Sequence, residues 1–215
     1  MKPESFLNLQ PLKFLDGWTI VLNELMLEKY LDIDSEKEKT LLLLENQKRN
    51  ASIIVLGKNN NYMIKTINLE TNKVLSEELL LEFHHLVVKL ELMIWDIGSD
   101  LNGKEIPNVL SMKIPAGWSI DYLSLKNTDP RYIDANDDAW LFDFNQDLLQ
   151  ITHKSKGLLL DIGWYPEGDS AGGYGIVLIR NENWEQPLED TICNNPSKLI
   201  NQLDKIFLKV LHHIY

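Results

Sequence analysis

The chain has 215 residues, of which 44% are hydrophobic, 25% charged and 9% aromatic. That length allows one large domain or two small ones, and the composition excludes collagen-like, low-complexity and wholly disordered classes. Thirty-two acidic against 21 basic residues leave a net charge of −11; such a field repels phosphate, arguing against nucleic acid or an anionic membrane as a direct partner and favouring a basic protein.

The first residues, Met1-Lys2-Pro3-Glu4-Ser5, lead into mixed sequence with no apolar run of signal-peptide length. Asp16-Gly17-Trp18-Thr19-Ile20 then opens a strand-like run over 19–25, followed by a leucine run at 41–44 and a β-rich run at 52–56. The spacing of Leu79, Phe83, Leu86, Val87, Leu90 and Met93 predicts a helix over 76–93, with Ser76 as N-cap and Glu77 and Glu78 in its first turn. Turn residues concentrate in 98–114, which reads as a linker.

The pattern then returns. Ala116-Gly117-Trp118-Ser119-Ile120 opens a second strand-like run over 119–125. Leucines at 158–160 and a β-rich run at 175–179 match the earlier 41–44 and 52–56. A second helix is predicted from Pro196 with Asn195 as cap, its stripe drawn by Leu199, Ile200, Leu203, Ile206, Phe207, Val210 and Leu211. The expected fold is therefore α+β: two related units, each a mainly antiparallel sheet followed by a long C-terminal helix. The first occupies 1–97 and the second 115–215. The apolar-rich windows 74–94 and 199–214 carry charges every few residues, so neither reads as a membrane span.

Catalytic and metal patterns are mostly absent. Gly168-Asp169-Ser170-Ala171-Gly172-Gly173 approximates a serine-protease nucleophile motif, but Ala171 interrupts it and no histidine stands in the matching context. A glycine-rich hairpin turn between 158–162 and 174–179 explains it better. Asp134-Ala135-Asn136-Asp137-Asp138 lacks the glycine and glutamate of a calcium loop, with Ala139 and Asn145 in those places. Adjacent histidines at 84–85 and 212–213 point about 100° apart on a helix and cannot share a metal. The single cysteine, Cys193, excludes an internal disulfide and favours a reducing compartment. No cofactor or metal is expected.

The acidity is uneven. Residues 121–170 hold ten carboxylates against four cations, so six of the eleven net charges fall there. Aromatics are interleaved with them: Tyr122, Tyr132, Trp140, Phe142, Phe144, Trp164, Tyr165 and Tyr174. Trp140, Phe142 and Phe144 alternate with polar neighbours, which predicts a strand with one aromatic face. Carboxylates with aromatic anchors suit an electrostatically steered protein interface.

Gly117-Trp118-Ser119-Ile120-Asp121, Asn136-Asp137-Asp138-Ala139-Trp140 and the run from Leu160 through Trp164-Tyr165-Pro166-Glu167-Gly168-Asp169 together resemble bacterial immunity proteins of polymorphic toxins, including those of contact-dependent inhibition. The resemblance covers roughly 115–211; the first half carries only Gly17-Trp18-Thr19-Ile20 and the shared layout. It implies a non-catalytic cytoplasmic protein that binds the basic C-terminal domain of a cognate toxin, a class that includes nucleases, and blocks its active site. The toxin-binding set would be Asp134, Asp137, Asp138, Trp164, Tyr165, Glu167 and Asp169. Two alternatives stay open: a generic acidic interaction module, and a hydrolase with a carboxylate site at Asp161 or Asp169.

Overall fold

The computed structural model describes residues 3–33, 36–99 and 105–215. In chain order they form α1 (Pro3–Phe6), β1 (Thr19–Asn23), β2 (Lys39–Asn46), β3 (Ala51–Lys58), β4 (Asn61–Asn68), β5 (Val74–Leu80) and α2 (Phe83–Ser99). There follow β6 (Ser119–Leu123), α3 (Ala139–Asp143), β7 (Leu149–His153), β8 (Leu158–Tyr165), β9 (Gly173–Arg180), β10 (Glu189–Cys193) and α4 (Pro196–Leu211). The strands form one ten-stranded antiparallel sheet, ordered β10-β9-β8-β7-β6-β1-β2-β3-β4-β5. This overturns the expected α+β arrangement of two sheets each ending in a long helix. The chain is mainly β, with helices of only 4, 17, 5 and 16 residues.

Two compact units divide the chain: residues up to Ile106 with Met112–Trp118, and Pro107–Ser111 with Ser119–Tyr215. The predicted linker at 98–114 is thereby shared out. Gly98 and Ser99 close α2, and Met112 onward belongs to the first unit. Residues 100–104 of that stretch lie outside the described ones.

In the first unit β1 to β5 run as an antiparallel meander. Gly17 turns the chain into β1 at φ +84°, a left-handed conformation that glycine adopts without steric cost. Val21 sits in a β-bulge, skipped between the pairs Ile20–Leu44 and Leu22–Leu43. Asn59 and Asn60, both at positive φ, make a two-residue hairpin turn of the kind that matches strand twist.

The helix predicted over 76–93 is corrected at its start: residues 74–80 are β5. Three side-chain partners decide this. Glu77 lies directly across from Lys65 on β4 and bonds it at 3.1 Å, Ser76 Oγ meets Thr66 Oγ1 at 2.5 Å, and Glu78 reaches Lys89 at 2.7 Å. The first two are cross-strand pairs and the third ties β5 to the helix that follows; together they outweigh the helical spacing of Leu79 and Phe83. α2 begins only after Glu82, whose carbonyl accepts from Leu86 N–H. It buries Phe83, Leu86, Leu90, Ile94 and Trp95, each such side chain contributing about 1.5–3 kcal/mol when removed from water. Phe83 meets Tyr62 of β4 edge-on at 5.8 Å.

The second unit repeats this order, with β6 to β10 as the meander and α4 behind it. Its first strand is entered from Gly117, the turn residue at φ +97° in the segment 112–118, and Asp121 takes the bulge position. Leu158, Leu160, Ile162 and Trp164 pair with Arg180, Leu178, Ile176 and Tyr174, and all but Arg180 are buried. α4 starts at Pro196 as the sequence predicts. Asn195 caps it by accepting from Lys198 N–H at 2.9 Å, and Leu199, Leu203, Ile206, Phe207 and Val210 are its buried stripe.

Candidate functional site

The residues singled out by the sequence sit on two segments of the second unit, 128–147 and 164–173. Asp129 precedes a 3₁₀ turn at Pro130–Tyr132 and caps it, accepting from Arg131 N–H at 3.1 Å. The Arg131 side chain folds back on the same carboxylate, with Nη2 2.6 Å from Oδ2. That hydrogen-bonded guanidinium holds the Asp129 carboxyl below the usual range. Its charge is thus already matched, which removes Asp129 from the free acidic surface.

The expected aromatic strand at 140–144 is helix α3. Trp140 and Phe144 are four residues apart and turn the same way, into the core, so Phe142 points out and is 71% exposed. Asp137 Oδ1 accepts from Ala139 N–H at 2.8 Å, while Asp138 stands at the N-cap without a capping bond. The Asp134 carbonyl accepts from Trp140 Nε1–H at 2.9 Å, fixing the loop onto the indole.

Trp164 is the hub of the second segment. It is 1% exposed, so its expected role as a surface anchor is corrected: no partner can touch it. Instead it contacts Phe144 at 4.7 Å, Tyr174 at 4.8 Å and Trp140 at 6.0 Å between ring centres. Its Nε1–H donates to the Asp169 carbonyl at 2.9 Å, and Gly168 N–H donates to the Phe144 carbonyl at 3.0 Å. Both segments are therefore seated on one aromatic cluster. Edge-to-face and tilted ring pairs such as these are each worth about 0.5–1.5 kcal/mol beyond their burial. Burial pushes the Tyr174 phenol up, with the surrounding acidic groups adding to it.

Outside that cluster the five carboxylates of the expected set are exposed, Asp134, Asp137, Asp138, Glu167 and Asp169, and so is Asp147 at the end of the first segment. Among the described residues none of the five forms an ion pair. Asp169 Oδ1 accepts from Ala171 N–H at 2.8 Å, a turn bond that leaves its charge in place. Alongside them Tyr132 is 83% exposed, Leu141 68% and Phe142 71%. These three exposed apolar side chains are not singled out by the sequence alternation. The usable signal was the four-residue spacing of Trp140 and Phe144, which leaves Leu141 and Phe142 outside the buried pair.

Tyr165 lies on the other face of β8 from Trp164. Its ring covers Gly163 and Gly175, where a Cβ would come within 2.8 and 2.9 Å of ring carbons, and its hydroxyl reaches the Gln146 carbonyl at 3.3 Å. Asp161 shares that face, in a hollow of about 220 Å³ with Tyr122, Asp147, Leu149 and Gln150. Burial raises the Asp161 carboxyl, Asp147 adds to the rise, and the Gln150 amide at 3.2 Å opposes it. Burial and these carboxylates likewise raise the Tyr165 phenol.

Among the described residues no three His, Cys, Asp or Glu side chains converge as metal ligands, and no helix is long and apolar enough to cross a membrane. Compared with family models, with curated proteins and with solved structures, the chain matches none.

Proposed function

We propose that this chain is a non-catalytic immunity protein, acting in the bacterial cytoplasm, which binds the basic C-terminal domain of a cognate toxin and covers its active site. The observation that carries the reading is the joint exposure of unpaired carboxylates and large apolar side chains on segments 128–147 and 164–173. Carboxylates steer a basic partner and pair its lysines and arginines, while Tyr132, Leu141, Phe142 and the Tyr165 edge supply the desolvated contacts that hold it. The aromatic cluster beneath them keeps the surface pre-formed, which lowers the ordering cost of binding.

Co-expression with the product of the adjacent toxin gene tests this directly. The chain is expected to protect the host and to co-purify with the toxin domain; failure of both sinks the proposal. Phe142→Ala should weaken the complex by about 2 kcal/mol, read by calorimetry, while leaving the fold intact. Asp137→Lys with Asp138→Lys should slow association and flatten its salt dependence. Binding that ignores both salt and these substitutions would instead identify a generic interaction module whose acidity serves only solubility.

A further inference from the structure

The end of β10, the turn at 171–173 and the first half of α4 enclose a cleft of about 540 Å³, within the range of small-molecule sites. Its chemistry is opposite to that of the rest of the unit. Lys198, Asn201, Gln202 and Lys205 line it from one face of α4, and no aspartate or glutamate lines it. Lys198 Nζ bonds Asn194 Oδ1 at 3.1 Å, and among the described residues neither lysine pairs with a carboxylate. The remaining wall is apolar and open: Ile192 is 65% exposed and Tyr165 43%. Gly172 and Gly173 line it with backbone packed too closely for a side chain, since a Cβ would come within 2.5 Å of the Trp164 indole nitrogen and 3.0 Å of the Cys193 carbonyl.

The geometry points to a binding site for a small organic anion, a carboxylate or phosphate monoester carried on a flat apolar body. Two ammonium groups and two side-chain amides supply donors for the anionic head, and the Tyr165 ring edge and Ile192 take the apolar part. The matching helix of the first unit keeps only part of this donor set: His85 and Lys89 stand at the positions of Lys198 and Gln202, and Lys89 is paired with Glu78. In α2 and α4 the first-turn bonds, Leu86 to Glu82 and Leu199 to Asn195, fix the correspondence. Where α4 carries Asn201 and Lys205, α2 carries Val88 and Leu92, both exposed. The site does not rest on the toxin reading: the two share Tyr165, but every other residue of the cleft lies outside the proposed toxin-binding set.

The full chain is to be titrated calorimetrically with 1-naphthoate, 1-naphthyl phosphate, neutral 1-naphthamide and cationic 1-naphthylmethylammonium. Binding of either anion, with the amide and the cation at least about tenfold weaker, supports the site, and the tighter anion identifies the head group. Lys198→Glu with Lys205→Glu should abolish anion binding. Asn201→Val with Lys205→Leu, the residues of α2, should weaken it about tenfold with the far-ultraviolet spectrum unchanged. Equal binding of all four probes, anion binding that survives the double charge reversal, no binding of either anion at millimolar concentration, or displacement only by an acidic peptide each overturns the proposal.

Discussion

The two compact units share a plan and differ in where they are long. Each has a bulged first strand entered from a glycine turn, a five-stranded meander and a helix, and the pairing register matches strand residues of one to those of the other. In the first unit Thr19 pairs with Glu45, 26 residues on, whereas Ser119 pairs with Thr152, 33 residues on. The hairpin from Lys58 to Asn61 is closed by two residues, and that from Tyr165 to Gly173 by seven. The added lengths of the second unit fall on the two segments that carry the exposed carboxylates and Phe142. Insertions at loops cost a sheet little, and binding residues accumulate there. The added chain is not loose. It brings its own core, with Trp164 standing where the first unit has Gly57 and meeting Trp140 of α3 and Phe144 at that helix's C-cap.

The sharpest way to break that difference is Trp164→Ala. It removes the ring that joins both insertions and should cost about 3–5 kcal/mol in urea unfolding, with the cavity unable to close because three other rings frame it. A loss below 1 kcal/mol would mean that the insertions are not seated on a shared core. Next in size is Gly163→Ala. The new Cβ would lie 1.8 Å from the Gln146 carbonyl oxygen, a backbone atom at the end of the insertion that contains α3. The chain there must move, at a cost of about 1–3 kcal/mol or more. Unchanged stability would show that the 144–147 segment is free to shift.

Part of this was legible in the sequence. Gly17-Trp18 and Gly117-Trp118 mark the repeat because a left-handed turn and a large buried ring leave few alternatives. Asn195-Pro196 marks the start of α4 for a similar reason: a cap and a first-turn proline are local devices. The leucine runs misled. Residues 41–44 lie in β2 and 158–160 in β8, so they are not counterparts; by register the counterpart of Leu158 is Ala51. Any buried strand tolerates a leucine run, which makes it a poor ruler. β5 was hidden because its side chains are mostly exposed and its strand character is set by Lys65 and Thr66 on another strand. The acidic residues of the candidate surface were found from charge counting alone. Its apolar anchors were not, since a five-residue helix and an aromatic strand read alike until the buried pair is known.

A smaller contrast lies on the sheet face that carries Asp161. By register the first unit places Ile54 there, between Leu43 and Lys65, where the second unit places Asp161 between Gln150 and Val177. Because burial raises this carboxyl, the folded state keeps its proton to higher pH than the unfolded chain does. Stability contributed by the group therefore falls as pH rises from the ordinary aspartate range through the raised folded value, and the penalty is complete above it. Asp161→Asn keeps an acceptor for the Gln150 amide and removes the charge. It should stabilise the chain at neutral pH by under about 1 kcal/mol, with the gain vanishing in acid. A variant less stable than the parent at pH 7 would reverse the assignment.

The smallest expected effect is at the 3₁₀ turns. In the first unit Leu27 precedes the turn and offers no side-chain cap; in the second Asp129 caps its turn and binds Arg131. Asp129→Asn keeps an oxygen for the Arg131 N–H and loses the ion pair. The pair is exposed to solvent, so its contribution at neutral pH should be small. Its sign with pH is opposite to that of Asp161. The folded carboxyl lies below its unfolded value, so the stabilisation is present above the ordinary aspartate range and is lost as pH falls through the lowered folded value. Paired unfolding curves across the acid range should therefore converge for Asp129→Asn and the parent only below that lowered value. Raised salt should shrink their separation at neutral pH, because a surface pair is screened. A separation that survives high salt would assign the effect to the hydrogen bonds from the Arg131 guanidinium, since the variant keeps the cap and the charge attraction is screened.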